Sequence, residues 1–177
     1  GGGAAVAASN SSNTWTATYT ITSGAIDTTS RNVTVTATNA GGSTSTADTT
    51  NATVDNIAPA VTDANISISG ATGAGGAFKI GDTVTATWNN TAGGDNNLDT
   101  ISSATVNFTQ FGGGAAVAAT NSAGTWTATY TIVAGAIAAT NLNVSFTATD
   151  NAGNATTAAD TTNATVDNIA PAVSSIV

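Results

Sequence analysis

Aspartate and asparagine side chains gather in a few short stretches of this chain, and they are the residues whose chemistry points to a ligand. Asp150, Asn151 and Asn154 lie together around a glycine-containing turn. Calcium takes six to eight oxygen ligands, which carboxylates and amide carbonyls in loops supply. The spacing therefore predicts a local calcium site, and the alternative is that these side chains only make the hydrogen bonds of a turn.

A second calcium site is expected where the chain passes an Ala-Pro step. Asp55 comes shortly before the first such step, Asp167 holds the same place before the second, and an asparagine follows each of them. An aspartate from the next part of the chain, Asp63 or Asp82, would add further oxygen ligands. The candidate calcium ligands are therefore Asp55, Asp63, Asp150, Asn151, Asn154 and Asp167.

Catalytic chemistry is poorly supplied. The chain has no histidine, no cysteine and one lysine, so its many serine and threonine hydroxyls lack the usual activating base. Asp95 and Asp99 form a carboxylate pair of the kind that glycoside hydrolysis uses, but their loop holds no cationic or aromatic residue to position a sugar. No glycine run leads into a phosphate-binding Lys-Ser/Thr helix start. We therefore expect that the protein is not an enzyme.

The charge balance restricts the partners. The net charge is −8, all ten acidic residues are aspartates, and the only cations are Arg31 and Lys79. Nucleic acids and anionic membrane surfaces are bound through clustered lysine and arginine, so both are excluded as partners. No apolar run approaches the roughly 18 residues that a membrane-spanning helix needs, so we expect no membrane insertion of this segment.

The chain contains a long internal repeat. The octapeptide at 54–61, Val-Asp-Asn-Ile-Ala-Pro-Ala-Val, returns unchanged at 166–173, and the two copies hold both prolines of the chain. The octapeptide at 14–21, Thr-Trp-Thr-Ala-Thr-Tyr-Thr-Ile, returns at 125–132. Such a period has the size of a whole small domain, which indicates a tandem array of separate modules. Because proline favours extended backbone around it, the segment 54–61 predicts a short, straight joint between modules.

These matches divide the chain. Residues 1–53 match 112–164 and are predicted to be the C-terminal half of a module. Residues 54–167 are predicted to be one complete module with the linker that precedes it, and 168–177 a linker with the first strand of another. We expect the chain to be a piece of something longer, in which the half missing from 1–53 comes from the same polypeptide or from a neighbouring chain.

Alternating apolar and polar residues predict strands throughout. Trp126, Ala128, Tyr130 and Ile132 share one face of such a pattern, with threonines on the other. For the complete module we predict strands near 64–69, 77–80, 82–88, 101–108, 115–119, 124–133, 141–149 and 158–166. The predicted core aromatics are Trp88, Phe108, Trp126, Tyr130 and Phe146. Seven or eight short strands in this length predict an all-β, Ig-like sandwich.

Four motifs resemble bacterial Ig-like tandem repeats of large cell-surface and secreted adhesins: the Gly-Asp-Thr-Val-Thr-Ala-Thr segment at 81–87, the central Thr-Trp-Thr-Ala-Thr-Tyr strand at 125–130, the Asp-Asn-Ala-Gly-Asn hairpin at 150–154, and the joint at 166–171. The resemblance covers the whole chain. It implies an extracellular, non-enzymatic scaffold at a bacterial cell surface, often rigidified by calcium at its joints. The first copy departs from the pattern, since Asn39-Ala40-Gly41-Gly42 stands where the second has the hairpin.

Two function classes follow. The first is a structural stalk or filament module that holds an adhesive tip or surface assembly away from the cell, with neighbouring copies of the module as its partners. The second is a subunit of a self-assembling extracellular fibre, in which modules from different chains complete one another. Carbohydrate binding through Trp88 or Trp126 is a weaker third class, because both residues have the inward phase of their strands. Ice binding by outward threonine rows and glycosylation at Asn-x-Ser/Thr sites stay open.

Overall fold

The structure is a computed structural model that describes residues 4–174. The chain divides into two compact units, 1–57 and 58–177, and the division falls inside the joint 54–61. Both units are built from β-strands, and the helical content of the described residues is limited to three single 3-10 turns. These turns are Asp63–Asn65, Ala74–Gly76 and Thr109–Phe111. The all-β class predicted from the alternating pattern is confirmed.

The described part of the first unit holds six strands, which pair only in twos. They are β1 (Ser9–Ser11), β2 (Thr14–Thr16), β3 (Asp27–Arg31), β4 (Thr34–Asn39), β5 (Gly42–Ala47) and β6 (Ala52–Asp55). The antiparallel pairs are β1 with β2, β3 with β6, and β4 with β5. Nearly all of their side chains are exposed.

The second unit, as far as residue 174, holds the other eleven strands. They are β7 (Ile66–Ser69), β8 (Phe78–Lys79), β9 (Thr83–Asn89), β10 (Ile101–Asn107), β11 (Val117–Ala118), β12 (Thr120–Ser122), β13 (Thr125–Thr131), β14 (Ala138–Leu142), β15 (Ser145–Asp150), β16 (Ala155–Ala159) and β17 (Ala164–Asp167). They form two four-stranded sheets, ordered β11-β10-β15-β16 and β12-β13-β9-β7, and a three-stranded sheet, β14-β17-β8. All pairings are antiparallel except that of β8 with β17.

The two four-stranded sheets cover each other with their apolar faces, as in a β-sandwich. In one sheet Trp126 lies opposite Trp88, and their rings stack with centroids 6.4 Å apart. In the other sheet Phe146 lies opposite Val106, and the centroid of the Phe146 ring lies 6.4 Å from that of Trp88 in the facing sheet. Each large side chain buried in this way is worth roughly 1.5–3 kcal/mol relative to an exposed one.

The predicted core is confirmed for four of its five aromatics. Trp88, Phe108, Trp126 and Phe146 are buried, whereas Tyr130 is half-buried and its hydroxyl donates to the carbonyl oxygen of Gly112 at 2.9 Å. Phe78 and Phe111 also lie in the core, with ring centroids 5.7 Å apart. The sequence prediction missed these two because neither belongs to a long alternating run.

Most predicted strands are present, with two corrections. The segment predicted as one strand at 158–166 is two strands, β16 and β17, with the loop around Asp160 between them. The segment predicted at 141–149 is likewise divided, because β14 ends at Leu142 and β15 begins at Ser145. β14 and β17 pair in the three-stranded sheet, while β15 and β16 belong to a four-stranded one. The chain therefore changes sheets twice where a single pattern had suggested continuous strands.

The same local backbone recurs in both units. A positive φ, which non-glycine residues rarely adopt, occurs at matching places: Ser12 with Ala123, Ser30 with Asn141, and Asn51 with Asn163. The pairs β3/β6 and β14/β17 both carry a register shift, between Thr28 and Arg31 in one and between Ala139 and Leu142 in the other. The turn chemistry of the repeat is therefore local and forms whether or not its apolar face is covered.

We predict that Trp126→Ala destabilises the second unit by about 3–5 kcal/mol, as truncation of a large core side chain does. Trp15 stands in the same octapeptide but is exposed, so Trp15→Ala should cost no more than about 0.5 kcal/mol. Denaturant titration of the full chain, followed by far-ultraviolet circular dichroism, measures both. Equal losses at the two tryptophans would contradict the arrangement of the core.

Candidate functional site

Asp150 ends β15 with a buried carboxylate that organises the hairpin after it. Its Oδ1 accepts backbone N–H groups from Ala152 at 2.9 Å, Gly153 at 2.7 Å and Asn154 at 2.9 Å. Its Oδ2 accepts the side-chain amide of Asn154 at 2.9 Å. Burial raises the pKa of Asp150, but these hydrogen bonds lower it more, so that it stays below its ordinary value.

This geometry bears on the predicted local calcium site at Asp150, Asn151 and Asn154. Calcium needs oxygen lone pairs directed at one point, whereas here N–H donors surround the carboxylate. The arrangement fits the hydrogen-bonded turn better than a metal site. Calcium at this hairpin stays a prediction made from the sequence.

The aspartates of the joint also act as hydrogen-bond acceptors in turns. Asp55 Oδ1 accepts the backbone N–H of Ile57 at 3.0 Å, and Asp167 Oδ1 accepts that of Ile169 at 3.1 Å. This two-residue step is the turn that aspartate favours. Asp167 lies at the end of β17 in the three-stranded sheet, while Asp150 ends a strand of a four-stranded sheet. The two therefore serve separate turns.

Asp63 joins the two ends of the second unit. Its carboxylate accepts the backbone N–H of Thr161 at 2.8 Å and the hydroxyl of Thr161 at 2.7 Å, although the two residues are 98 positions apart. Two hydrogen bonds to one ionised carboxylate are stronger than bonds between neutral groups. Asp63 thus ties the start of the unit to the loop between β16 and β17.

Asp82 likewise holds a loop, the glycine-rich segment at 70–76, to the strands beside it. This buried carboxylate accepts the hydroxyl and the backbone N–H of Thr72, the latter at 2.9 Å. It also accepts the backbone N–H of Lys79 at 3.0 Å and pairs with the Lys79 ammonium at 3.3 Å. The hydrogen bond from the Thr72 hydroxyl is the main reason why the pKa of Asp82 lies well below its ordinary value.

Asp95, one of the two carboxylates considered for catalysis, is held in the structure by four donors. Its oxygens accept the backbone N–H and hydroxyl of Thr62 at 2.9 Å and 2.6 Å, the Asn65 amide at 2.8 Å and the Trp88 indole N–H at 2.7 Å. Burial raises the pKa of Asp95, and the donors lower it further than burial raises it. The carboxylate therefore fastens the start of the unit to a core tryptophan.

One asparagine in each unit, Asn56 or Asn168, fastens the start of the joint to a preceding loop, and we call this arrangement the clamp. The sequence prediction considered these asparagines only as calcium ligands. Asn168 is buried, and its Oδ1 accepts the Ile137 backbone N–H at 2.7 Å. Its own backbone N–H donates to the Ile137 carbonyl at 2.8 Å, and its carbonyl accepts the Gly135 N–H at 2.9 Å. A methyl group on Gly135 would lie 2.7 Å from the Asn168 amide nitrogen, so the loop approaches closely because glycine is there.

The first unit repeats this clamp. Asn56 Oδ1 accepts the Ile26 N–H at 2.8 Å, and its backbone bonds to Ile26 and to Gly24 match those of Asn168 in partner and in length. The signal that identifies the clamp in the sequence is the unchanged asparagine of the repeated octapeptide. Its partners lie about 30 residues earlier in the chain, which no local pattern reveals.

The chemistry that this set of residues supports is structural: carboxylates and amides accept backbone N–H groups at turns, at the unit's ends and at the joint. Within residues 4–174 no helix is long and apolar enough to cross a membrane. No protein-family model, no curated protein sequence and no solved structure matches the chain.

We predict that Asn168→Ala destabilises the second unit by about 1–3 kcal/mol, because the partly buried N–H of Ile137 loses its acceptor. Ile169→Ala, at the exposed neighbouring position, should cost no more than about 0.5 kcal/mol. Thermal unfolding gives the stability change, and amide exchange at Ile137 reports the clamp itself. Unchanged exchange at Ile137 in Asn168→Ala would show that the clamp does not hold the loop.

Acid should destabilise the second unit because several of its carboxylates have lowered pKa values. Asp82 has an ordinary pKa of 3.8, and its folded value lies below it, so the unfolded chain takes up the proton first as pH falls. The stability that Asp82 contributes is therefore complete above about pH 4 and is lost progressively below it. We expect the Asp82→Asn variant to unfold at a lower temperature than the unchanged chain at pH 7. Between about pH 4 and pH 2 its thermal midpoint should fall less than that of the unchanged chain. Parallel pH profiles of the thermal midpoint would contradict this role.

Proposed function

We propose that the chain is a structural, extracellular repeat segment made of Ig-like sandwich modules of about 110 residues, part of a stalk or filament that extends an adhesive or surface assembly from a bacterial cell. The observation that carries the proposal is the joint. The same octapeptide stands at 54–61 and at 166–173. In both places a buried asparagine fastens it to a preceding loop through the same three hydrogen bonds. A connection that is built twice in the same way is what an array of like modules requires.

The arrangement of strands before the joint suits a load-bearing link. β17 is hydrogen-bonded on one side to β14 and on the other to β8. Force applied at Asp167 therefore acts on two strand pairs, and the Asn168 clamp adds bonds just beyond the end of the strand. The two prolines, Pro59 and Pro171, restrict the backbone of the link itself.

The surface chemistry fits a scaffold. Outward threonine and serine hydroxyls bond to each other across strands, as in Ser67 with Thr87 and Thr147 with Thr157, both at 2.7 Å. Trp88 and Trp126, the residues considered for carbohydrate binding, are buried in the core. Their indole faces are therefore occupied by packing, which favours the scaffold over a sugar-binding module.

Three parts of the proposal rest on the resemblance to bacterial adhesin repeats: the extracellular location, the cell-surface assembly and the binding of calcium near the joint by Asp55, Asp63 or Asp167. The second class of function, a fibre whose subunits complete one another, is favoured by one observation. Trp15, Ile21, Val33 and Val35 of the first unit are exposed, whereas their counterparts in the second unit are buried.

The stalk is tested with arrays of one to four copies of residues 58–169, measured by small-angle X-ray scattering. A compact module of this size has a radius of gyration of about 13 Å, so we expect the longest dimension to grow by at least about 35 Å for every added module. Replacing the joint with a Gly-Ser linker of equal length gives the matched flexible control, whose dimension grows more slowly. Identical growth in both arrays would contradict a stiff joint. Comparing calcium with a chelator shows whether calcium adds to the stiffness.

A further inference from the structure

The first unit has exposed apolar side chains, and the matching side chains of the second unit are covered. Trp15 is 67% exposed and Val35 is 65% exposed, whereas their counterparts Trp126 and Phe146 are 6% and 0% exposed. Other large apolar side chains that are exposed here and have buried or half-buried counterparts are Val6, Tyr19, Ile21 and Val33. Apolar side chains that are exposed here but covered in the matching copy indicate a surface of interaction.

The cover in the second unit comes from residues 62–111. β13, which contains Trp126, lies between β12 and β9, and β15, which contains Phe146, lies between β16 and β10. β9 and β10 belong to 62–111, and they bring Trp88 and Val106 opposite Trp126 and Phe146. In the described first unit β2 pairs with β1 alone and β4 with β5 alone, so the edges that β9 and β10 fill have no strand.

The free edges of β2 and β4 lack the residue types that keep many edge strands from pairing. Such strands usually hold lysine, proline or an inward charge, whereas β2 and β4 consist of threonine, tryptophan, valine, alanine and asparagine. Elsewhere in the first unit the backbone repeats the geometry of the covered copy, as in the register shift beside Ser30 and the Asn56 clamp. The edges of β2 and β4 are open to a strand-bearing partner.

We propose that this face binds a second copy of the N-terminal half-module, the segment with the sequence of residues 58–111. In the bound segment, the strand with the sequence of β9 would pair with β2, and the strand with the sequence of β10 would pair with β4. The tryptophan that corresponds to Trp88 would lie opposite Trp15, and the valine that corresponds to Val106 would lie opposite Val35. Thr49 occupies the place of Thr161 in the repeat and is exposed, so it would receive the incoming counterpart of Asp63. The proposal deepens the tandem organisation proposed above and does not depend on a stalk or a cell surface.

The test adds a copy of residues 58–111 directly before Gly1 of the full chain, so that Phe111 of the copy precedes Gly1 as Phe111 precedes Gly112. Hydrogen–deuterium exchange is measured on peptides 13–22 and 124–133. These differ in mass because Asn13 and Thr22 stand where the second copy has Gly124 and Val133. We expect exchange in 13–22 to become at least about 100-fold slower and to approach that of 124–133.

The matched control carries Trp88→Asp and Val106→Asp in the added copy only, and it should leave 13–22 exchanging as fast as in the unextended chain. Peptide 124–133 reports whether the original second unit remains folded. Slow exchange there, with 13–22 still fast in the extended chain, overturns the proposal, as does equal protection by the control. It is also overturned if the unextended chain sediments as a dimer with 13–22 protected, because a second copy of the face would then be the cover. Stiffness of the joint does not enter these readouts, so the stalk can fail while this inference holds.

Discussion

Apolar side chains at alternate positions of a strand form one face of a sheet, and in water that face is stable only when a second apolar layer covers it. In the second unit the covering contact is made by Trp88, which stacks on Trp126 within its own sheet and meets Phe146 of the facing sheet. The rest of the unit depends on this contact. The loops, the Asp95 bond to the Trp88 indole and the joint are arranged around two sheets that the contact holds together.

The chain builds its turns with carboxylates and amides rather than with ion pairs. Only two cations are present, and the described ion pair between Lys79 and Asp82 is supplemented by three hydrogen bonds to the same carboxylate. An ionised carboxylate surrounded by N–H and O–H donors is stabilised without a counter-ion, which lowers its pKa. This explains how a segment with so few charges specifies its loops, and why its aspartates resemble metal ligands in the sequence.

The segment that follows each unit's last strand is held in the same way in both units. Asn56 and Asn168 fix the direction in which the chain leaves a unit, because each bonds through both its side chain and its backbone to the preceding loop. These bonds lie within residues 24–56 in the first unit and within residues 135–168 in the second. The clamp therefore forms in both units, although only one of them has a covered core.

Much of the fold followed from the sequence alone. Alternation at Trp126, Ala128 and Tyr130 predicted strand and facing, and the repeated octapeptides placed the joint, because a period of two and identical segments are local properties. The candidate site was predicted less well. Asp150, Asp167 and Asp63 were identified as oxygen-rich positions, but the sequence does not say which donors meet them, and Thr161 lies 98 residues from Asp63. Tertiary structure alone decided that the segments at 141–149 and 158–166 divide between sheets. It also decided that the octapeptides at 14–21 and 125–132 have opposite environments, since burial depends on which partner strands are within reach and not on the residues themselves.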